Sequence, residues 1–350
     1  MKMLRETFRF VGEALMEPVK LLGAFIRDLP ETIAANRASF KGQGKVMLAK
    51  LKNLSETNYN LGLYHLRRGN IADAMMRFRL ALWIKPGQAM AYYQLGRCYL
   101  LEERPEKAHA SFTQALAADP GCQEAKFMVA AMAEDALPTD IPSSIIEEHF
   151  TVLAPQYDIQ AEEYNYQSPA YIAREVAAHA AGKEQALHIL DLGCGTGLVG
   201  QAMKEQLPFA ILTGVDINAE MLTRAQAKLF HERPVYRQLI RADMLPYMAE
   251  GKAEYEAITA SASLHFVRDL TPALRAIHGR LKNNGVFVGT VYKALKTTIS
   301  MPDNFEFFRF PDKLLHQMLE KAGFVEIQLQ EISMRLDQRG WLVVARRTKK

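Results

Sequence analysis

Three glycines at alternate positions, in Asp191-Leu192-Gly193-Cys194-Gly195-Thr196-Gly197, follow the apolar stretch 186–190 and most constrain what this chain can fold into. The pattern predicts a buried strand that breaks through a tight turn into a helix. Glycine lets such a turn take positive φ and lets a ligand approach where any Cβ would collide, so a nucleotide-like ligand is expected. Tight strand-to-helix turns also use glycine for purely structural reasons, and the partner residues must decide.

About twenty residues beyond a nucleotide loop, a second parallel strand should end in a carboxylate that accepts from ribose hydroxyls. Asp216 closes the apolar run 210–215, and Asn218 suits the N-cap of the helix after it, although Asp216 could itself be only a cap. A third strand, 236–240, leads to Asp243 and Met244. An acid beside an apolar side chain suits the donor amine and apolar faces of adenine, or is simply a solvated loop acid. Further strands are expected at 255–260, 285–292, 324–330 and 340–346, with a helix near 313–322. Seven candidate strands, the early ones interleaved with helices, predict an α/β doubly wound sheet with its ligand at the carboxyl ends of the strands. A dinucleotide site would use G-x-G-x-x-G, but here the third glycine comes one residue early.

Over about 145–347 the chain resembles the class I S-adenosylmethionine-dependent methyltransferases, most specifically at 190–197 and 215–222. The resemblance implies S-adenosylmethionine as cofactor. Its methionine part would meet Asp191, Gly193, Gly195 and Gly197, its ribose Asp216 beside Ile217, and its adenine Asp243 and Met244.

Upstream, residues 55–120 repeat with a period of 34: Tyr59 recurs as Tyr93, Gly62 as Gly96, Ala74 as Ala108, Phe78 as Phe112 and Pro86 as Pro120. This resembles the tetratricopeptide repeat, in which small residues let paired helices approach, an aromatic fills the gap and proline ends the second helix. Asn58 departs from it, standing where that family favours tryptophan and where the second repeat has Tyr92. The expected organisation is a basic amphipathic helical region over 1–54, all-α repeats with a capping helix over 55–137, a linker at 138–144 and the methyltransferase domain over 145–350. The resemblance of the whole is to a bacterial group that fuses such repeats to such a domain.

Residues 1–50 hold nine Lys or Arg against five Asp or Glu, so the formal +4 sits at one end and the rest is balanced. That argues against a general nucleic-acid-binding surface. Leu4, Phe8, Val11 and Leu15 share a helical face, as do Val19, Leu22 and Ile26, and residues 1–30 could lie on a membrane surface or pack on the repeats. No uncharged run is long enough for a transmembrane helix, so a cytoplasmic protein, at most membrane-peripheral, is expected. Three scattered cysteines make neither a disulfide framework nor a metal cluster, and no metal is expected.

The segment 150–169 resembles the entrance segment of small-molecule methyltransferases, which makes Tyr157, Tyr164 and Tyr166 candidate pocket residues; tyrosines packed at a helix surface are the alternative. After the fourth strand, His265 is a candidate general base or a substrate-lining residue. The aromatic run 305–310, with Phe308 and Arg309, would suit an apolar acceptor bearing an anionic group, or is core. No Asp/Asn-Pro-Pro-Tyr/Phe motif follows the fourth strand, which argues against methylation of DNA bases, and the cysteines lack the spacing of radical enzymes. The expected function is methyl transfer to a small-molecule acceptor, with a protein partner recruited through the repeats. The alternatives are a protein methyltransferase whose repeat groove captures its substrate, and a non-catalytic scaffold.

Overall fold

The computed structural model describes residues 40–133, 140–181, 186–295, 307–335 and 338–348, with side chains from Leu54 onward. The N-terminal amphipathic segments, Pro138, Phe305 and Glu306 lie outside the described residues. The chain divides into two compact units, Met1–Cys98 and Tyr99–Lys350.

In the first unit, helices α1 (Phe40–Arg67) and α2 (Ile71–Ile84) pack as an antiparallel pair and α3 (Ala89–Leu101) begins. Phe78 is fully buried on Gly62, where an added Cβ would lie 2.6 Å from the ring. That close approach is why the repeat carries glycine there. Asn58 is buried too, and both ends of its amide are engaged: Nδ2 donates to the Leu54 carbonyl at 2.8 Å and Oδ1 accepts from Arg77 at 3.1 Å. A polar bracket thus stands where the repeat family favours an indole.

The division at Cys98/Tyr99 falls inside α3, not at the 138–144 stretch expected to be a linker. The reason is visible in the second unit, where that stretch is tied down. Asp140 bridges to Val267, the Ile141 N–H donates to the Phe266 carbonyl at 3.0 Å, and Ser144 donates to Glu124 at 2.6 Å. Glu124 lies on α5 (Gln123–Ala131), which packs on α4 (Pro105–Ala118). The second repeat helix and its cap therefore count with the sheet domain.

Helices α6 (Ser143–Leu153), α7 (Tyr157–Glu163) and α8 (Ser168–Ala180) precede the sheet. Its strands are β1 (His188–Leu192), β2 (Ile211–Asp216), β5 (Gln238–Arg241), β6 (Tyr255–Ser261), β7 (Leu281–Tyr292), β8 (Val325–Arg335) and β9 (Gln338–Arg346). A two-residue ladder, β3 (Leu229–Phe230) with β4 (Arg233–Pro234), stands apart. The spatial order is β5-β2-β1-β6-β7-β9-β8, parallel except for β9, which runs antiparallel to both neighbours. The helices α9 (Leu198–Gln206), α10 (Ala219–Ala227), α11 (Met244–Glu250), α12 (Thr271–Arg280) and α13 (Asp312–Ala322) connect successive strands.

Ile189, Leu190, Leu192, Leu212, Val215 and Ile258 are almost wholly buried, as central strands covered on both faces require. The expected seven-stranded doubly wound architecture is the one observed. Chain order reverses between β1 and β6, the switch point at whose carboxyl edge open α/β sheets bind ligands.

Candidate active site

A cavity opens at that edge. Its walls include Gly193 and Gly195 from the turn after β1, Asp216 and Ile217 at the end of β2, Asp243 and Met244 after β5, and Ser261 and Ser263 after β6; Phe150 and Tyr157 close it from α6 and α7. The glycines differ in what they do. Gly195 has φ +54° and nothing within 4 Å of where a Cβ would stand, so its face belongs to whatever fills the cavity. Gly193 is pressed on Ser263, 2.4 Å from an added Cβ, and Gly197, with φ +90°, is the N-cap of α9.

Asp216 is held by backbone. One carboxylate oxygen accepts from the Gly195 N–H and the other from the Asn218 N–H, both at 2.8 Å. Burial nevertheless pushes its carboxyl above the usual range, against those hydrogen bonds. Each oxygen has a second lone pair, leaving capacity for the vicinal hydroxyls of a ribose. Asn218 fixes the turn: its Oδ1 caps α10 at the Met221 N–H, and its Nδ2 donates to the Glu147 carbonyl and Thr151 hydroxyl of α6. Asp243 caps α11 through the Leu245 N–H at 3.0 Å and accepts from Ser143 at 2.6 Å. It too retains acceptor capacity beside the apolar Met244.

Asp191 sits elsewhere than expected. Its oxygens accept from Tyr236 at 2.6 Å and Thr259 at 2.9 Å, beneath the turn, and it is 2% exposed. Burial raises its carboxyl to about 6, although both hydrogen bonds pull the other way. It braces the glycine turn from below, its place on β1 being in register with Thr259 of β6, whose hydroxyl donates to it. The turn is also strapped from above: Thr196 donates to Asp158 of α7 at 2.5 Å, and Lys228 pairs with the other Asp158 oxygen at 2.6 Å.

The tyrosines separate. Tyr157 lines the cavity, the Tyr166 hydroxyl meets Ser261 Oγ at 2.7 Å, and Tyr164 is 44% exposed at the end of α7. Burial raises the phenols of Tyr157 and Tyr166. His265 is buried against Phe266, Tyr292 and Phe307, with ring centroids 4.4, 4.9 and 5.4 Å away. Burial, then the charges of Arg335 and His149, push its imidazole down to about 3, so it stands neutral. Phe308 is fully buried and donates its N–H to the His265 carbonyl at 2.7 Å; the Arg309 guanidinium lies over the Phe307 ring, 5.6 Å from its centroid.

Sequence reasoning missed Ser143, Phe150, Ser261, Ser263 and Arg335. Phe150 and Ser261 were legible as neighbours of named motifs. Arg335, at the far end of β8, carries no local motif. Among the described residues no group of three His, Cys, Asp or Glu could hold a metal, and no helix is long and apolar enough to cross a membrane.

The strand order, the antiparallel β9 and the cavity at the switch point define a class I methyltransferase fold. Residues 190–287 match the family model described as a methyltransferase domain, and residues 89–122 match the tetratricopeptide repeat. The chain thus carries a methyltransferase domain over 190–287 and a tetratricopeptide repeat over 89–122. It is 32% identical to an uncharacterized methyltransferase of Mycobacterium tuberculosis over 28% of this chain and 46% of that protein. It is 37% identical to trans-aconitate 2-methyltransferase of Pseudomonas aeruginosa over 28% of this chain and 33% of that protein. The structure of 1,6-didemethyltoxoflavin-N1-methyltransferase from Burkholderia thailandensis, with S-adenosylhomocysteine bound, superposes with a TM-score of 0.47 at 17% identity, covering 61% of this chain and 93% of that one. The chain spans less than half the length of the curated relatives it matches.

Proposed function

We propose that this chain transfers the methyl group of S-adenosylmethionine to a small-molecule acceptor and that its repeats recruit a protein partner. The observation that carries the first part is the cavity in which an open glycine face, a backbone-held carboxylate and an acid beside a methionine meet at the switch point. These residues fit the cofactor's three parts: Gly193 and Gly195 the methionine portion, Asp216 beside Ile217 the ribose, Asp243 and Met244 the adenine. When bound, the cofactor supplies an electrophilic methyl group on a sulfonium.

The protein's contribution is alignment and exclusion of water. Phe150, Tyr157 and Phe266 close the cavity with aromatic surface, and the Asp158 clamp holds α7 across the glycine turn. His265, buried behind the wall residue Phe266 and held neutral, is too weakly basic to take up a proton, so the acceptor is taken to arrive already deprotonated. The relative named for trans-aconitate supports a small acceptor. Trp83, 61% exposed, and Tyr64, 50% exposed, support a partner-binding role for the repeats.

Calorimetric titration with S-adenosylmethionine tests the reading. Saturable binding by the intact chain, lost on Asp216→Ala and on Gly195→Val, is expected. Absence of binding by the intact chain overturns it.

A further inference from the structure

We propose that Arg335, with the hydroxyls of Tyr157 and Tyr166, forms a carboxylate-binding subsite that holds an anionic acceptor beside the cofactor cavity. The inference rests on the methyl-transfer reading and adds the chemical class of the acceptor. Arg335 ends β8, and its guanidinium lies 5.6 Å from the centroid of the Tyr166 ring. Two contacts join it to the cavity. Tyr157, whose phenol lies close enough to Arg335 for each group to shift the other's ionisation, is itself a wall residue. Tyr166 is hydrogen-bonded to Ser261, another wall residue.

The guanidinium is not spent on the protein. Its Nε is buried without a hydrogen-bond partner, and Arg335 makes no ion pair among the described residues. A comparison within the same domain shows what a structural arginine looks like. Arg280 also lies against two tyrosine rings, Tyr247 and Tyr255, but its Nε donates to the Ala253 carbonyl at 2.6 Å and its Nη1 to the Tyr247 carbonyl at 3.1 Å. Arg280 is therefore a satisfied core residue. Arg335 keeps a buried donor unpaired, which costs free energy unless a ligand supplies the acceptor.

A carboxylate matches what is on offer. Its two oxygens fit the parallel N–H edge of a guanidinium in a bidentate pair, and the flanking phenols, kept protonated by burial, can donate to it as well. The surrounding Phe266, Phe307, Tyr292 and neutral His265 are uncharged and would enclose an apolar acceptor body, and the carboxylate that acts on Tyr157, Asp216, is already held by two backbone N–H groups.

The experiment follows the side-chain Nε–H resonances of nitrogen-labelled full-length protein saturated with S-adenosylhomocysteine. The Arg335 signal is assigned by its absence from Arg335→Lys. Acetate, succinate and benzoate are titrated against the matched amides and against inorganic phosphate. A saturable shift of the Arg335 signal with at least one carboxylate and none with its amide is expected, together with calorimetric affinity for that carboxylate at least about ten-fold weaker in Arg335→Lys. No response to any carboxylate, an equal response to the amides, or a response to phosphate alone overturns the proposal. S-adenosylhomocysteine binding is measured on both proteins by calorimetry. Its absence from the intact chain would instead sink the methyl-transfer reading, and its retention in Arg335→Lys shows that the variant is folded.

Discussion

The two sides of the cavity are built on different principles. On the side of β1, β2 and β5, the wall is made by backbone geometry and by acids held by backbone N–H groups: Gly195 at positive φ, Asp216 on two amides, Asp243 on a helix N-terminus. On the side of β6, β7 and β8, Tyr157 lines the cavity, and Tyr166, His265, Tyr292 and Arg335, brought together from distant segments, lie behind the wall residues Ser261 and Phe266. The first side can be specified by a short local sequence. The second depends on how the whole sheet closes.

Changes to the first side should have the larger effects. Gly195→Val forces a branched side chain into a left-handed backbone and fills the open face, and binding of S-adenosylmethionine in calorimetry should be abolished. Asp216→Ala removes a charged acceptor of two hydroxyls and should weaken binding about a hundred-fold. Retention of affinity within about three-fold in both variants would show that the sides do not differ as described.

Two buried titrating groups sharpen the comparison, since they have opposite pH signatures. His265, held down to about 3, is stabilised as the neutral form in the fold, so its contribution is complete above its ordinary 6.5 and is lost as pH falls toward 3. By about pH 4.5 that loss amounts to roughly 3 kcal/mol, and His265→Gln should remove it from denaturation midpoints measured across pH. Asp191, raised from 3.8 to about 6, behaves in reverse: its contribution is complete below 3.8 and is lost as pH rises through about 6. Asp191→Asn keeps one acceptor and should flatten a slope of roughly 3 kcal/mol over that interval. The two groups offset each other where their ranges overlap, from 3.8 to about 6, so there the intact protein should change less with pH than either variant. A pH profile identical to the intact protein's in both variants would contradict the burial described.

The smallest effect is expected from Tyr157→Phe. It keeps the ring that closes the cavity and removes only the hydroxyl facing Arg335, so cofactor affinity should stay within about two-fold while the Arg335 Nε–H signal moves. A large loss of cofactor affinity would mean that the hydroxyl serves the first side.

Legibility in the sequence follows the same division. The strand-turn-helix at Gly193 to Gly197 and the acid twenty residues later are readable because each requirement, positive φ or a carboxylate at a strand end, is met within a few residues. Asp191 shows the limit of that reading. Its place in the motif suggests a ligand contact, but strand alternation turns it under the loop, onto Tyr236 and Thr259. The division within α3 was also unreadable, because it depends on Ser144 reaching Glu124 and Asp140 meeting Val267 across the fold.

The sequence by itself determined the repeat helices, through a period of 34 residues that brings the same small and aromatic residues back to the same helix faces, and the seven strands, through apolar runs broken by glycine and polar turns. These are local properties, fixed by dihedral preference and hydrophobic periodicity. The tertiary structure alone decided that Arg335 meets Tyr157 and Tyr166 beside Ser261, some 74 residues earlier in the chain by number, and that His265 is sealed from water. Burial, charge pairing and the state of a buried proton depend on every segment that covers a group, and no stretch of sequence carries that information alone.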